Sequence, residues 1–128
     1  MSYYYPEYVR IETAANVADN IVICFHERIE VIGAKIVDFV GIAANNTDYA
    51  TFQVLANDQT DVLFEWDTRA ANEGALTANT SGDMTNEGAE DKRVFEAGDA
   101  LIVKVIKAAG GKATNATVCL QLRQARKY

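Results

Sequence analysis

One histidine, two cysteines and two serines are the only ready nucleophiles and bases in this chain: His26, Cys24, Cys119, Ser2 and Ser81. A catalytic triad needs a nucleophile, a base and an orienting group in one place. His26 follows the apolar run Ile21-Val22-Ile23-Cys24-Phe25. On a strand its neighbour Glu27 points to the opposite face, so His26 reads as a structural histidine. A structural zinc centre takes four Cys or His ligands, and the chain has three such residues in all; no metal is expected. Cys24 and Cys119 sit inside apolar runs and read as reduced thiols buried in the core, with their approach on adjacent strands as the alternative.

Carboxylates form the second chemical set. Glu65 and Asp67 share one face at a strand end, with Asp58 and Asp61 close in sequence. That spacing suits a calcium ion or an acid and base pair, a hydrolase or isomerase reading for which no supporting base is visible. EF-hand spacing is absent, and a solvated acidic rim is the favoured reading. From Asn57 to Asp91 there are nine acids (Asp58, Asp61, Glu65, Asp67, Glu73, Asp83, Glu87, Glu90, Asp91) against Arg69 alone, within a net charge of -6. Such a segment repels phosphate. The basic cluster is confined to Arg123, Arg126 and Lys127, so no nucleic-acid partner is expected. No Gly-rich loop joins a strand to a helix, and Gly110-Gly111 reads as a hairpin turn; no cofactor is expected. A Trp66 and tyrosine platform for sugar rings is conceivable, but Trp66 falls in the phase opposite to Glu65 and reads as core. The sequons at Asn45, Asn79 and Asn115 read as turn-rich loops.

The elements that must position these residues are mostly strands. Phe52 and Val54 alternate with Thr51 and Gln53; Leu101, Val103 and Val105 alternate around Lys104; Val118, Leu120 and Leu122 alternate with Gln121 and Arg123. Asp61 to Trp66 and Asn20 to His26 read as further strands, the second so continuously apolar that it is expected in the middle of a sheet. Arg28 to Ala43 has spacing that also suits a helix, yet its β-branched residues favour a long strand with a bulge at Gly33. Turn signals stand at Asn45-Asn46-Thr47-Asp48, Asn57-Asp58-Gln59-Thr60, Ala97-Gly98-Asp99 and Ala109-Gly110-Gly111-Lys112. The 128 residues suit one core. The fold class expected is all-β, an antiparallel two-sheet β-sandwich with an extended N-terminal arm at residues 1–7 and the sandwich domain at 8–128. One long acidic loop, at about 67–92, is expected either to hold one or two short edge strands around Leu76 and Met84, or to serve a partner, or to be mobile. No apolar run approaches the ~18 residues of a membrane span, so no membrane partner is expected.

The N-terminus, Met1-Ser2-Tyr3-Tyr4-Tyr5-Pro6-Glu7-Tyr8, lacks the features of a secretory signal and is expected to stay on the mature protein. Pro6 pushes Tyr5 toward extended geometry, and tyrosine supplies contact area at low entropic cost. Such an arm suits an interface with a neighbour or self-packing along a sheet edge.

Three segments carry a family resemblance. They are Gly33-Ala34-Lys35-Ile36, then Ala44 through Asp48 leading into Thr51-Phe52-Gln53-Val54, and Phe95-Glu96-Ala97-Gly98-Asp99-Ala100-Leu101-Ile102-Val103-Lys104-Val105 closing on Ala116-Thr117-Val118-Cys119-Leu120-Gln121-Leu122. Together they resemble small virion proteins of tailed bacteriophages, most closely the capsid decoration or cement proteins. The resemblance implies a jelly-roll-like sandwich and a non-enzymatic role. It implies a homotrimer bound to the major capsid protein on the capsid exterior, made in the host cytoplasm. Interface candidates are then Tyr3, Tyr4, Tyr5, Tyr8, Arg123, Arg126, Lys127 and Tyr128. The alternative is a receptor- or glycan-binding module of a phage tail fibre or spike.

Overall fold

Residues that alternate apolar and polar cover one face of a sheet and leave the other wet, and strands form wherever the chain alternates in this way. The computed structural model describes residues 4–88, 90–108 and 110–125. Within them lie β1 (Tyr4–Thr13), β2 (Asp19–Cys24), β3 (Ile29–Asp38), β4 (Ala50–Leu55), β5 (Val62–Asp67), β6 (Gly82–Asp83), β7 (Thr85–Asn86), β8 (Val94–Phe95), β9 (Ala100–Lys107) and β10 (Thr114–Gln124). A 3-10 turn at Glu90–Lys92 precedes β8.

Four antiparallel pairs nest inside one another: β1 with β10, β2 with β9, β3 with β8, and β4 with β5. The chain is one long antiparallel hairpin, rolled up so that β10 also pairs with β3 and β9 with β4. Two sheets result: β1-β10-β3-β6 with β8 also on β3, and β2-β9-β4-β5-β7. This nesting is a jelly roll, and the all-β two-sheet sandwich read from the sequence is what forms.

The core lies between the sheets. Ile11, Leu120, Leu122, Val31 and Ile36 of the first sheet meet Phe52, Val54, Leu101 and Val103 of the second, all fully buried. Each contributes roughly 1.5–3 kcal/mol through burial. Phe25 and Phe95 close one end of the core edge to face, with ring centroids 5.7 Å apart.

Several local expectations change. Pairing on β1 starts at Tyr4, opposite Arg123, and not at Tyr8 or Val9; Tyr4 to Glu7 lie along their own sheet edge, the self-packing alternative. The reason is register: the tyrosines continue the alternation that Val9 and Ile11 obey. β2 is an edge strand and not a central one. Ile21 and Ile23 pack on the core while Val22 and Cys24 face out, a division that a continuous apolar run conceals. Cys24 is therefore exposed, and Cys119, on the outward phase between Val118 and Leu120, is half-buried. His26 is an exposed turn residue after β2, not a strand residue. The bulge on β3 is present: Gln121 faces Gly33 while Leu122 faces Val31, leaving Ile32 extra. Segment 67–92 carries β6 and β7 on either side of Met84 and a bridge from Leu76 to Ile42.

Candidate interaction surface

The outward phase of β1 presents Tyr4, Pro6 and Tyr8, because Val9, Ile11 and Thr13 take the inward phase. β1 is an edge strand, where a proline without an N–H is tolerated. Cross-strand register extends the row into a face: Tyr8 lies opposite Cys119, which lies opposite Lys35, which lies opposite Asp83. Lys35 Nζ reaches Asp83 Oδ1 at 2.5 Å. Tyr4 is 59% and Tyr8 65% exposed, large apolar rings on a sheet face with polar tips.

Register also unites parts of the chain that are remote in sequence. Arg123 lies opposite both Tyr4 and Glu30 and is ion-paired with Glu30. The carboxylate, with help from the Tyr4 hydroxyl, holds the guanidinium above its ordinary pKa. Tyr5 faces inward and packs on the core; burial, then the charges of Glu27 and Glu7, push its hydroxyl pKa up. Of the interface residues expected from sequence, Tyr4, Tyr8 and Arg123 thus share the outward face of β1 and β10, while Tyr5 lies on the inward face. Tyr3, Arg126, Lys127 and Tyr128 lie outside the described residues.

Beside this row is a depression of about 540 Å³. Tyr4, Pro6, Lys35, Cys119 and Gln121 line it, with Gly33 at the bulge. Among the described residues no strand covers β3 between β8 and β6; there it meets single hydrogen bonds, Val31 N to Arg93 O and Met84 N to Ala34 O. Ala34, Phe64 and Met84 therefore give the depression an apolar floor. The Arg93 guanidinium stacks over Phe64, 4.9 Å from the ring centroid.

A second exposed apolar feature was missed from sequence: Phe39 and Val40, 64% and 72% exposed, at the tip that follows β3. Their β-branched and aromatic types read as more strand. The available signal was Asp38 three residues before Gly41, a turn in which the carboxylate takes backbone N–H groups. Asp38 is 1% exposed. Its Oδ1 accepts from Val40 N at 3.0 Å and Gly41 N at 2.8 Å, and its Oδ2 from Asn115 N at 3.0 Å.

The carboxylates expected to form a solvated rim do not all do so. Asp67 is buried. Burial alone would raise its pKa, but hydrogen bonds from the Arg69 guanidinium and backbone, the Arg69 charge and the Thr51 hydroxyl outweigh that and hold it below the ordinary value. Arg69 in turn stacks on Tyr49, 4.5 Å from the ring centroid. Glu65 accepts from Gln53 Nε2 at 2.8 Å. Asp58 and Asp61 both pair with Lys92. Glu73 accepts from the Asp67 backbone N–H at 2.6 Å, and burial followed by the charges of Glu65 and Glu73 raises the Glu87 carboxyl. Among the described residues no group of three or more His, Cys, Asp or Glu side chains is arranged to hold a metal ion. Trp66 is half-buried and donates through Nε1 to Gly74 O at 3.1 Å. A Cβ at Gly82 would lie 2.6 Å from its ring carbons. With Gly82 pressed on its ring, Trp66 is not the open platform a sugar needs.

No protein-family model matches the chain, and no curated protein matches it. Among solved structures it is similar to that of Desmodium yellow mottle tymovirus, at 7% identity and a TM-score of 0.43, over 100% of this chain and 90% of that one. It is similar to the maize chlorotic mottle virus structure, at 13% identity and a TM-score of 0.38, over 99% and 95% of the two chains. It is similar to the structure of infectious bursal disease virus Gx strain, at 12% identity and a TM-score of 0.37, over 96% of this chain and 32% of that one. The chain spans about a third of that last protein's length. The fold assignment itself rests on the nested strand pairing.

Proposed function

We propose that this chain is a non-enzymatic structural protein of a virion, a decoration or cement protein that binds the outside of a tailed-phage head and bridges neighbouring capsomers. Its partner is then the major capsid protein, and the chain acts as a homotrimer. The observation that carries the reading is the outward row Tyr4, Pro6 and Tyr8 on an edge strand of a jelly roll. The rings are held in register by paired strands, so little conformational freedom is lost when they are covered, and aromatic residues are enriched at protein interfaces. The sequence resemblance to phage virion proteins points the same way. Many weak contacts on a shell act together, since a protein that binds only the assembled shell stabilises it by mass action.

Co-sedimentation with emptied heads of the phage whose genome carries this chain tests the reading. The wild-type protein is expected to pellet with heads and to raise their disruption temperature. The double substitution Tyr4→Ser and Tyr8→Ser, on exposed positions, is expected to abolish pelleting without lowering the protein's own melting temperature. Failure of the wild-type protein to bind the heads overturns it.

A further inference from the structure

We propose that residues 90–94 form a strap that opens ahead of the rest of the sandwich and bares the second edge of β3, because Arg93 is held between the sheets as an unpaired cation. Register places it there. Ile29 lies opposite Phe95 and Glu30 opposite Val94, and Val31 N donates to Arg93 O at 2.9 Å, so Arg93 continues the ladder opposite Val31. Neighbours along an extended chain alternate faces. Arg93 therefore takes the inward phase of Phe95, which is fully buried, as is Val31. Its guanidinium ends on the Phe64 ring of the second sheet, 4.9 Å from the centroid.

The other arginines among the described residues have acceptors. Arg69 sets Nε and Nη2 on the Asp67 carboxylate; Arg123 donates to Glu30, Arg28 to Glu96 and Arg10 to Asn115 Oδ1. At Arg93 the same two atoms, Nε and Nη2, are sealed from water and meet no acceptor among the described residues. A guanidinium does not shed its proton, so the charge is not relieved by neutralisation. A buried donor without a partner costs more than an ordinary hydrogen bond returns, and the aromatic face offsets only part of that. The inward guanidinium thus weakens the segment that carries it.

The hold on the strap is thin. Along one edge β3 pairs with β10 from Ile29 to Asp38. Along the other it has the two-residue strands β6 and β8, with the single bonds at Val31 and Ala34 between them. The turn at Glu90–Lys92 buries no residue. Lys92 is tied to Asp58 and Asp61 by water-exposed ion pairs, which are weak. Phe95 is the hinge: it is fully buried and packs edge to face on Phe25, so the chain beyond Val94 stays in place. With the strap out, the guanidinium reaches water and the backbone of β3 around Val31 loses its partner. An edge freed in this way is one to which an extended segment can add as a strand.

Native-state hydrogen exchange reads the opening directly. In the wild type the Val31 amide, which donates to the strap, is expected to exchange roughly 10-fold or more faster than the amides bonded between β3 and β10. Arg93→Met, similar in length and uncharged, is expected to slow the Val31 amide by roughly 10- to 100-fold and to raise the melting temperature. A wild-type Val31 amide as slow as the β3–β10 ladder overturns the proposal. An Arg93→Met protein that melts below the wild type, or whose Val31 amide exchanges as fast, overturns it too. Neither readout uses phage heads, so the result is independent of capsid binding.

Discussion

The two ends of the sandwich are built with the same residue type and hold their loops in different ways. At the end where β1–β2, β3–β4 and β9–β10 turn, two carboxylates, Asp38 and Asp67, are buried. Asp38 gathers three backbone N–H groups and Asp67 a guanidinium, a hydroxyl and a backbone N–H. At the other end, where β2–β3, β4–β5 and β8–β9 turn, Asp58, Asp61 and Glu96 are open to water. There Lys92 bridges Asp58 and Asp61, and Arg28 reaches Glu96 at 2.7 Å. An aspartate sealed from water fixes a backbone conformation, because its donors have nothing else to bond. An aspartate in water only biases a loop, because solvent competes and salt screens. The rigid end is the one that displays Phe39 and Val40, and that difference is what makes its apolar tip a surface feature that persists.

Substitutions can break this contrast, and the largest effect is expected at Asp38. Asp38→Ala leaves three backbone donors without an acceptor and should cost about 3–5 kcal/mol, read as a shift of the urea midpoint with an unchanged slope. A loss under about 1 kcal/mol would mean that water replaces the carboxylate and that both ends behave alike.

Next comes Asp67→Asn, expected to cost about 2–3 kcal/mol at neutral pH. The folded-state pKa of Asp67 is below its ordinary 3.8, so its stabilisation is present above that value and is lost as pH falls further through the folded pKa. Acid denaturation followed by circular dichroism should therefore show a shallower loss in the variant than in the wild type below about pH 4. Parallel curves would remove Asp67 from the contrast.

Gly41→Ala should cost about 1–2 kcal/mol, since a side chain there meets a left-handed φ and two backbone atoms at 3.0 Å. The smallest effect is expected at the open end: Lys92→Met should lower the melting temperature slightly in dilute buffer and not measurably at high salt, by scanning calorimetry at both ionic strengths. The hydrogen bonds and charges of Asp61 and Asp58 raise the Lys92 pKa, so the contact loses strength only at strongly alkaline pH on that side. A salt-independent loss would show the open end to be held as the buried end is.

Legibility from sequence followed the same division. Strands with strict alternation, such as Val118-Cys119-Leu120-Gln121-Leu122, were readable because burial on one face leaves a two-residue period. The short pairings around Leu76 and Met84 were one of three readings left open, beside a partner-binding or a mobile segment, because two apolar residues in a polar stretch do not choose among them. β2 was misplaced because an edge strand whose outward residues are Val22 and Cys24 has the composition of a central one. The Phe39-Val40 tip was hidden for the same reason: apolar types outside look like apolar types inside. Asp67 could not be told from Asp58 by type, since a buried carboxylate differs from a rim carboxylate only in what surrounds it. Tyr4, Tyr8 and Arg123 were each singled out, while their meeting on one sheet edge was not visible.

By itself the amino-acid sequence determined the all-β class, the phase of most strands and the turn positions, because these depend on neighbours one to four residues away. Tertiary structure alone decided which strands lie at edges, which carboxylates are sealed from water, and that residues more than a hundred positions apart, such as Tyr4 and Arg123, share one surface. The physical reason is that burial and cross-strand register are properties of long-range pairing, and the nested hairpin of a jelly roll brings its most distant segments side by side.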